Sequence, residues 1–351
     1  MTQPQPSIKA LPKVDIHRHL EGSLRLATLL EIVRSENLSL PGEIESLRSR
    51  VEVVGDAPVT TDEFLAKFKT IRMFFRSREI IERLVYEVIE DASEDNLRLL
   101  ELRFTPAALA QAGDFELEEV TDWVLLAAEK AGTKFGVKVA CVMSVNRHEP
   151  VSVAETVASL AIERIASGVS GLDLAGDEAD SPAEPFKPAL RRAKKAGLGI
   201  TIHAGEWAGA QNVRTAIEEL QADRIGHGIR VFDDKEVTAL AARSGTVFEV
   251  SLTSNWKTGA VSDLAVHPVR EMIQAGLAVT LTTDDPSIFT TTLSEEFEIA
   301  KSHFDFSMDS VKAFNLIALQ SAFLEDREKK HIEKELVLRY WGTEGGIAPD
   351  R

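Results

Sequence analysis

Eight short apolar or β-branched segments recur along the chain, and longer segments with helical spacing lie between them. This alternation is typical of repeated strand-helix units that build a parallel sheet. The predicted strands cover residues 13–17, 99–104, 137–144, 170–174, 199–203, 222–227, 246–251 and 277–283. A doubly wound open sheet shares the alternation, but eight units with reactive groups at the carboxyl ends of different strands favour closure. We therefore predict an α/β fold of the (β/α)8 TIM-barrel class.

Helical periodicity is clear between several of these strands. Residues 79–89 carry apolar side chains three and four apart, as a helix packed on the outside of a barrel should. A second predicted helix, 188–196, ends before Gly197, a residue that commonly terminates helices. The segment 24–98 is too long for one crossover helix, so we expect extra helices between the first and second strands, over one mouth of the barrel. After Pro286 the composition is mostly typical of helices, so we expect the tail to be largely helical.

The composition predicts one domain. With 351 residues, 44% of them hydrophobic, the chain can bury a large core, and barrels of this size need not divide. We expect a single domain over residues 1–351. Residues 1–12 contain Pro4 and Pro6 and lack the apolar core of a signal peptide, so we interpret them as a flexible N-terminal arm.

Charge and cysteine content argue against several ligands, metal sites and classes of protein. A net charge of −16 disfavours a nucleic acid polymer, and no run of about 18 apolar residues could cross a membrane. Cys141 is the only cysteine, so a disulfide framework, a thiolate zinc site and the paired cysteines of cytidine-deaminase chemistry are all excluded. These features favour a cytoplasmic protein. They do not predict its oligomeric state.

A pair of histidines ends the first predicted strand. Because side chains i and i+2 of a strand share a face, His17 and His19 can hold one ion from two nitrogens. His203 and Asp284 follow two other strands, and alone each has an ordinary structural explanation, a hydrogen-bonded histidine and a turn aspartate. Together, three neutral imidazoles and one carboxylate suit Zn²⁺, which keeps a position open for water in catalytic sites.

Seven segments together resemble a known family in content and in order. They are the Asp-Ile-His-Arg-His-Leu-Glu-Gly run at 15–22 and the segments 64–68, 173–178, 203–206, 224–228, 253–255 and 283–286. They span most of the chain and resemble the ordered motifs of the adenosine deaminase family. The resemblance implies a (β/α)8 barrel with one zinc ion per chain, held by His17, His19, His203 and Asp284.

The resemblance also implies a division of catalytic roles. The zinc lowers the pKa of a bound water, which attacks the amine-bearing C6 of a purine nucleoside. His227 would take the proton of that water and orient the nucleophile. Glu206 would protonate the adjacent ring nitrogen, and this role requires a raised pKa, which burial can supply.

Five further residues are implied to contact the substrate. Asp285 would recognise the imidazole nitrogen of the purine, and the Gly176 N–H would serve a nitrogen of the pyrimidine ring. Glu21 corresponds to a position that hydrogen-bonds the ribose 5′ hydroxyl. Phe64 and Phe68, four apart on a helix, can form an apolar wall, although ordinary core packing explains the pair equally well. Ser254 and Asn255 are expected to brace the site.

Departures from the family pattern leave the substrate open. Many adenosine deaminases carry aspartate where this chain has Glu21, and adenine deaminases resemble it there; Gly226 and the run 283–289 instead resemble the nucleoside enzymes. Ser251 stands where cysteine is common. We expect a zinc-dependent deaminase of adenosine and 2′-deoxyadenosine. The alternatives are a deaminase of adenine or of a 5′-modified nucleoside such as aminodeoxyfutalosine, a silent purine-binding protein, and a two-metal amidohydrolase.

Overall fold

Eight parallel strands form one sheet whose order in space is their order in the chain. The structure, a computed structural model, describes residues 7–336. The strands are β1 (Lys13–His19), β2 (Leu97–Phe104), β3 (Lys138–Asn146), β4 (Val169–Ala175), β5 (Gly199–Ala204), β6 (Arg224–His227), β7 (Val247–Val250) and β8 (Ala278–Leu281). Each predicted strand overlaps an observed one, and the predicted (β/α)8 barrel is confirmed.

Helices surround the sheet. They are α1 (Leu26–Ser35), α2 (Ile44–Val51), α3 (Thr61–Arg72), α4 (Arg78–Glu94), α5 (Pro106–Gly113), α6 (Leu117–Phe135), α7 (Val151–Glu163), α8 (Lys187–Lys195), α9 (Ala210–Arg214), α10 (Lys235–Ser244), α11 (Leu252–Lys257), α12 (Val269–Gln274), α13 (Pro286–Phe289), α14 (Leu293–Phe304), α15 (Met308–Ser321) and α16 (Asp326–Leu336). The predicted helices at 79–89 and 188–196 correspond to α4 and α8. Residues 337–351 of the predicted helical tail lie outside the described part.

The barrel closes between β8 and β1 at its carboxyl end. The N–H of His19 donates to the carbonyl of Asp284 at 2.8 Å, and the N–H of Asp284 donates to the carbonyl of His17 at 2.8 Å. Below this point α15 covers the join: Asn315 Oδ1 accepts from the N–H of Val14 at 2.8 Å. We call this join, from Val14 to His19 against 280–284, the seam. The open-sheet alternative is therefore excluded.

Extra helices occupy the region between β1 and β2, as predicted. α3 begins with a capping box, in which Thr60 Oγ1 accepts from the N–H of Glu63 and the Glu63 side chain accepts from the N–H of Thr60. This cap fixes the start of the one extra helix whose side chains reach the barrel mouth. α4 is the ordinary outer-layer helix, packed against α6 and β2.

Part of the predicted N-terminal arm, residues 1–12, packs on the barrel. Ile8–Ala10 forms a turn of 3₁₀-helix, and Ile8 and Leu11 are both buried. Burial of these two apolar side chains attaches residues 8–11 to the barrel, so the prediction of a flexible arm is wrong for them. Residues 1–6 lie outside the described part. Within residues 7–336, no helix combines the length and apolar character needed to cross a bilayer.

Candidate metal centre and substrate pocket

Four predicted metal ligands meet at the carboxyl end of the barrel. Ligand atoms of His17, His19, His203 and Asp284 all lie within 4.8 Å of one another. His17 Nε2 is 3.2 Å from His19 Nε2 and 3.2 Å from Asp284 Oδ1. Among residues 7–336 this is the one group of histidine, cysteine and carboxylate side chains with such geometry. The spacing of His17 and His19 predicted that this pair shares a face, and the positions of His203 and Asp284 after two other predicted strands agree with the observed meeting at the ends of β1, β5 and β8.

Carboxylates behind the histidines orient two of the rings. His17 Nδ1 lies 3.0 Å from Glu249 Oε2, and His203 Nδ1 lies 2.9 Å from Asp173 Oδ1. A carboxylate beside Nδ1 orients an imidazole so that its Nε2 faces a metal ion. Burial lowers the pKa of His19 to about 3, so its ring is neutral at pH 7, which is the form that binds metal.

Buried arginines hold these carboxylates in place. Arg103 pairs with Glu249 and lies 3.4 Å from Asp173, and Arg224 Nε is 2.6 Å from Glu249 Oε1. Although burial alone would raise both, Arg103 and Arg224 hold the pKa of Glu249 below its ordinary range, and His203 and Arg103 do the same for the pKa of Asp173. The barrel interior thus contains a charged network where branched apolar residues are usual. Sequence reasoning gave these residues no role, although charged residues inside predicted buried strands are a usable signal.

Glu206 follows β5 on a turn that another glutamate organises. Glu178 Oε2 accepts from the N–H groups of Glu206, Trp207 and Ala208 at 2.9, 3.0 and 3.2 Å, and its Oε1 accepts from Asn212 Nδ2 at 3.0 Å. Burial, followed by the charges of Asp284 and Glu178, raises the pKa of Glu206 well above its ordinary value. A raised pKa is the property that a proton donor in this position requires. Glu178 lies in a motif that sequence reasoning quoted without assigning it a function.

His227 ends β6 and faces the same centre. Its Nε2 is 3.5 Å from Glu206 Oε2 and 4.0 Å from Asp284 Oδ2, and its Nδ1 is 3.0 Å from Asn255 Nδ2. His227 and Asp284 both have φ in the left-handed region, at 63° and 61°. A non-glycine residue rarely adopts this conformation, and such strain clusters at functional sites. Ser254 Oγ donates to Asp284 Oδ2 at 2.7 Å, consistent with the bracing role predicted for this pair of residues.

A cavity of about 400 Å³ opens onto these groups. All five residues predicted to contact substrate line it; they are Glu21, Phe64, Phe68, Gly176 and Asp285. Its volume matches the lower part of the range found for small-molecule pockets. The structure thus brings every residue implied by the resemblance to one site.

Aromatic rings form one wall of the cavity. Phe64 stands edge-to-face with Phe68 at 5.4 Å between centroids and stacks on Phe289 at 5.5 Å. Trp207, which sequence reasoning did not identify, lies 6.1 Å from Phe64 and also lines the cavity. These rings offer a flat apolar surface of the kind that a purine ring packs against.

Two carboxyl groups that line the cavity each have one oxygen without a hydrogen-bond partner. Glu21 Oε1 accepts from the N–H of Thr105 at 3.2 Å, whereas its Oε2 is buried without a partner. Asp285 Oδ1 is also buried without a partner. Burial, together with Asp284, Glu21 and Glu206, raises the pKa of Asp285 well above its ordinary value. Buried polar atoms without partners are unusual and point to a polar ligand.

Comparison with known proteins identifies the relatives of this chain. The sequence model of a family described as adenosine deaminase matches residues 12–338. A curated protein named adenosine deaminase from Enterococcus faecalis is 34% identical over 333 residues, which cover 95% of this chain and 98% of the relative.

Solved structures agree in fold. Adenine deaminase from Arthrobacter aurescens superposes with a TM-score of 0.87 at 25% identity, covering 95% of this chain and all of its own. An amidohydrolase from Burkholderia ambifaria, solved with bound zinc, gives a TM-score of 0.86 at 28% identity, covering 95% of this chain and 91% of its own.

Proposed function

The chain belongs to the adenosine deaminase family, and on that premise we propose that it deaminates adenosine and 2′-deoxyadenosine, releasing ammonia and inosine or deoxyinosine. Members of this family are hydrolases of C–N bonds in cyclic amidines and belong to purine metabolism. The observation that carries the proposal is the meeting of a four-ligand centre with Glu206, a carboxyl whose pKa burial raises, at one apolar-walled cavity.

The centre fits a single divalent zinc ion. His17 Nε2 lies 3.2 Å from Asp284 Oδ1, and His19 Nε2 lies 3.4 Å from the same oxygen, so one ion can contact all three atoms. A donor set of three imidazoles and one carboxylate suits zinc. The zinc bound to the Burkholderia relative supports the same choice. A zinc ion bound here would supply an activated water as nucleophile.

The residues of the chain supply the remaining steps. The purine lies against the ring wall, with Asp285 facing its imidazole nitrogen and the Gly176 N–H facing a nitrogen of the pyrimidine ring. Glu206 donates its proton to the ring nitrogen beside C6, which quenches the negative charge that arrives on the ring during attack. His227, whose Nε2 lies 3.5 Å from Glu206 Oε2, orients the nucleophile. The free Oε2 of Glu21 binds the ribose 5′ hydroxyl.

Adenine or a 5′-modified nucleoside is the second candidate substrate. Two observations favour adenine in particular: the solved adenine deaminase superposes along its full length, and Glu21 is one methylene longer than the aspartate common in adenosine deaminases. A longer side chain at this position fills space that a ribose would occupy.

Initial rates on adenosine, 2′-deoxyadenosine, adenine and a 5′-modified adenosine, with metal content measured on the same sample, test the proposal. We expect the highest kcat/KM on the two nucleosides, because only differential transition-state binding gives specificity. Absorbance of adenosine that stays constant with one zinc per chain contradicts the proposal. Preference for adenine establishes the second candidate.

The substitution Glu206→Gln distinguishes a deaminase from a purine-binding protein that has no catalytic activity. The amide keeps the size of the side chain but cannot donate the proton, so we expect kcat to fall by about 10²-fold or more with one zinc retained. A variant with unchanged turnover assigns the acid role to another group.

A further inference from the structure

A buried chain of hydrogen bonds runs from the start of α12 to His227. The N–H of Val269 donates to His267 Nδ1 at 3.1 Å. His267 Nε2 is 3.1 Å from Asn255 Oδ1, and Asn255 Nδ2 is 3.0 Å from His227 Nδ1. The three side chains are at most 2% exposed. Neither the proposed metal ligands nor the cavity lining includes His267 or Asn255.

The donor and the acceptor of each hydrogen bond in this series follow from the bond at Val269. A backbone N–H can only donate, so His267 Nδ1 must accept. Burial lowers the pKa of His267 to about 3, so the ring is neutral and carries its one proton on Nε2. That N–H can donate only to an oxygen, which places Asn255 Oδ1 toward His267. The amide NH₂ of Asn255 is thereby left to donate to His227 Nδ1.

We propose that His267 and Asn255 are positioning residues that fix His227 as the tautomer with hydrogen on Nε2, so that His227 donates a hydrogen bond to the nucleophile. This rests on the proposed function for the identity of the nucleophile, but not for the tautomer. With Nδ1 occupied as an acceptor and Nε2 already protonated, neutral His227 has no free nitrogen to accept a proton. Of the two roles that the family resemblance implied for His227, this proposal keeps the orienting role and removes the base role.

Nuclear magnetic resonance tests the tautomer directly. Correlation spectra of the zinc-loaded protein, labelled with ¹⁵N in its histidine rings, distinguish protonated from unprotonated ring nitrogens, and loss of signals in His227→Gln assigns them. We expect an unprotonated Nδ1 and a protonated Nε2 for His227. The reverse pattern overturns the proposal whether or not the protein is a deaminase.

Asn255→Asp is designed to reverse the tautomer. A carboxylate only accepts, so His227 Nδ1 must then carry the proton, and Nε2 becomes unprotonated. An enforced wrong tautomer costs a catalytic histidine several orders of magnitude, so we expect kcat to fall about 10²-fold or more while KM changes by less than about threefold. A His227 spectrum or kcat equal to that of the wild type overturns the proposal.

His267→Gln tests the outer half of the chain. Glutamine can still donate an N–H to Asn255, so we expect most of kcat and the His227 spectrum to be retained, whereas His267→Leu loses both. His331→Gln is the matched control because His331 is exposed and remote, with its side chain 77% accessible. Equal activity of the glutamine and leucine variants, with both folded by thermal denaturation, contradicts a positioning role.

Discussion

Asp285 occupies space that exists only because residue 22 is a glycine. A Cβ at Gly22 would lie 1.7 Å from Asp285 Oδ1. Gly22→Ala must therefore displace the carboxyl proposed to bind the purine. Loss of one hydrogen bond of a charged or acidic group costs about 1.5–3 kcal/mol, so we expect kcat/KM on adenosine to fall by about 10- to 100-fold with zinc content unchanged.

Gly42→Ala is the matched control for this change. A Cβ at Gly42 meets nothing within 4 Å, so the same substitution there leaves kcat/KM unchanged. Wild-type kinetics of Gly22→Ala would show that Asp285 does not need its present position.

Glu296 gives the fold a pH dependence separate from the metal centre. Its oxygens accept from the N–H of Thr253 at 3.2 Å and from Thr291 Oγ1 at 3.1 Å, and burial raises its pKa from 4.5 to about 7. The folded state therefore binds this proton more tightly than the unfolded state. Its contribution to stability is full below about pH 4.5 and is lost as pH rises through 7, a change of about 3 kcal/mol.

Glu296→Gln removes that titration. We expect the free energy of unfolding of the variant, relative to wild type, to increase between pH 5 and pH 8 in urea denaturation. The exposed neighbour Glu298→Gln serves as control and shows no such difference. A constant difference between wild type and Glu296→Gln across this range refutes the effect.

At the scale of elements, the turn after β5 depends on one side chain. Three backbone N–H groups of residues 206–208 point at Glu178. Glu178→Gln presents an amide NH₂ to some of these donors, which disrupts the turn and moves Glu206. We expect kcat to fall by about tenfold or more, since small displacements of catalytic groups are costly.

Zinc content and thermal stability accompany the kinetic measurement on Glu178→Gln, because a loss confined to kcat identifies a displaced acid. Glu163→Gln, with its side chain 65% exposed at the end of α7, is the control. Full activity of Glu178→Gln would mean that the turn holds its shape without this carboxylate.

The positions of the strands could be predicted from the sequence for a physical reason. Parallel strands are buried on both faces, so their apolar runs stand out, and all eight were located to within a few residues. Their ends were less predictable: β1 continues to His19 because Arg18 and His19 pair with Leu102 and Arg103 of β2, a contact that local sequence does not encode. The packing of Ile8 and Leu11 was missed for the same reason.

The candidate site was predictable where residues carry chemistry by type and spacing. The four ligands, Glu206 and His227 belong to that class, and their proposed roles remain predictions. Supporting residues such as Arg103 and His267 contact partners that lie elsewhere in the sequence, and only the folded barrel brings them together. These contacts could not be predicted because the partners are separated along the chain.

At the scale of the whole molecule, the proposed metal ion bridges the seam. His17 and His19 belong to the first strand and Asp284 follows the last, so an ion bound to all three adds to the hydrogen bonds that join them. Ligands that bind only the folded state stabilise it. We expect chelation to lower the Tm and to speed hydrogen exchange at the N–H groups of His19 and Asp284.

The ladder between β3 and β4 is the internal reference for that exchange experiment. It lies away from the seam, so its amides should respond less to chelation. Equal acceleration in both places would indicate that the metal stabilises the barrel as a whole and does not act at the seam.

The seam also has a consequence for biosynthesis. The ligands occupy positions 17, 19, 203 and 284 of a 351-residue chain, so the ribosome makes the first two long before the fourth. A nascent or prematurely terminated chain that ends before Asp284 has neither a closed barrel nor a complete set of ligands. Translation must therefore pass this residue before all four proposed ligands exist, and we expect products truncated before it to be inactive.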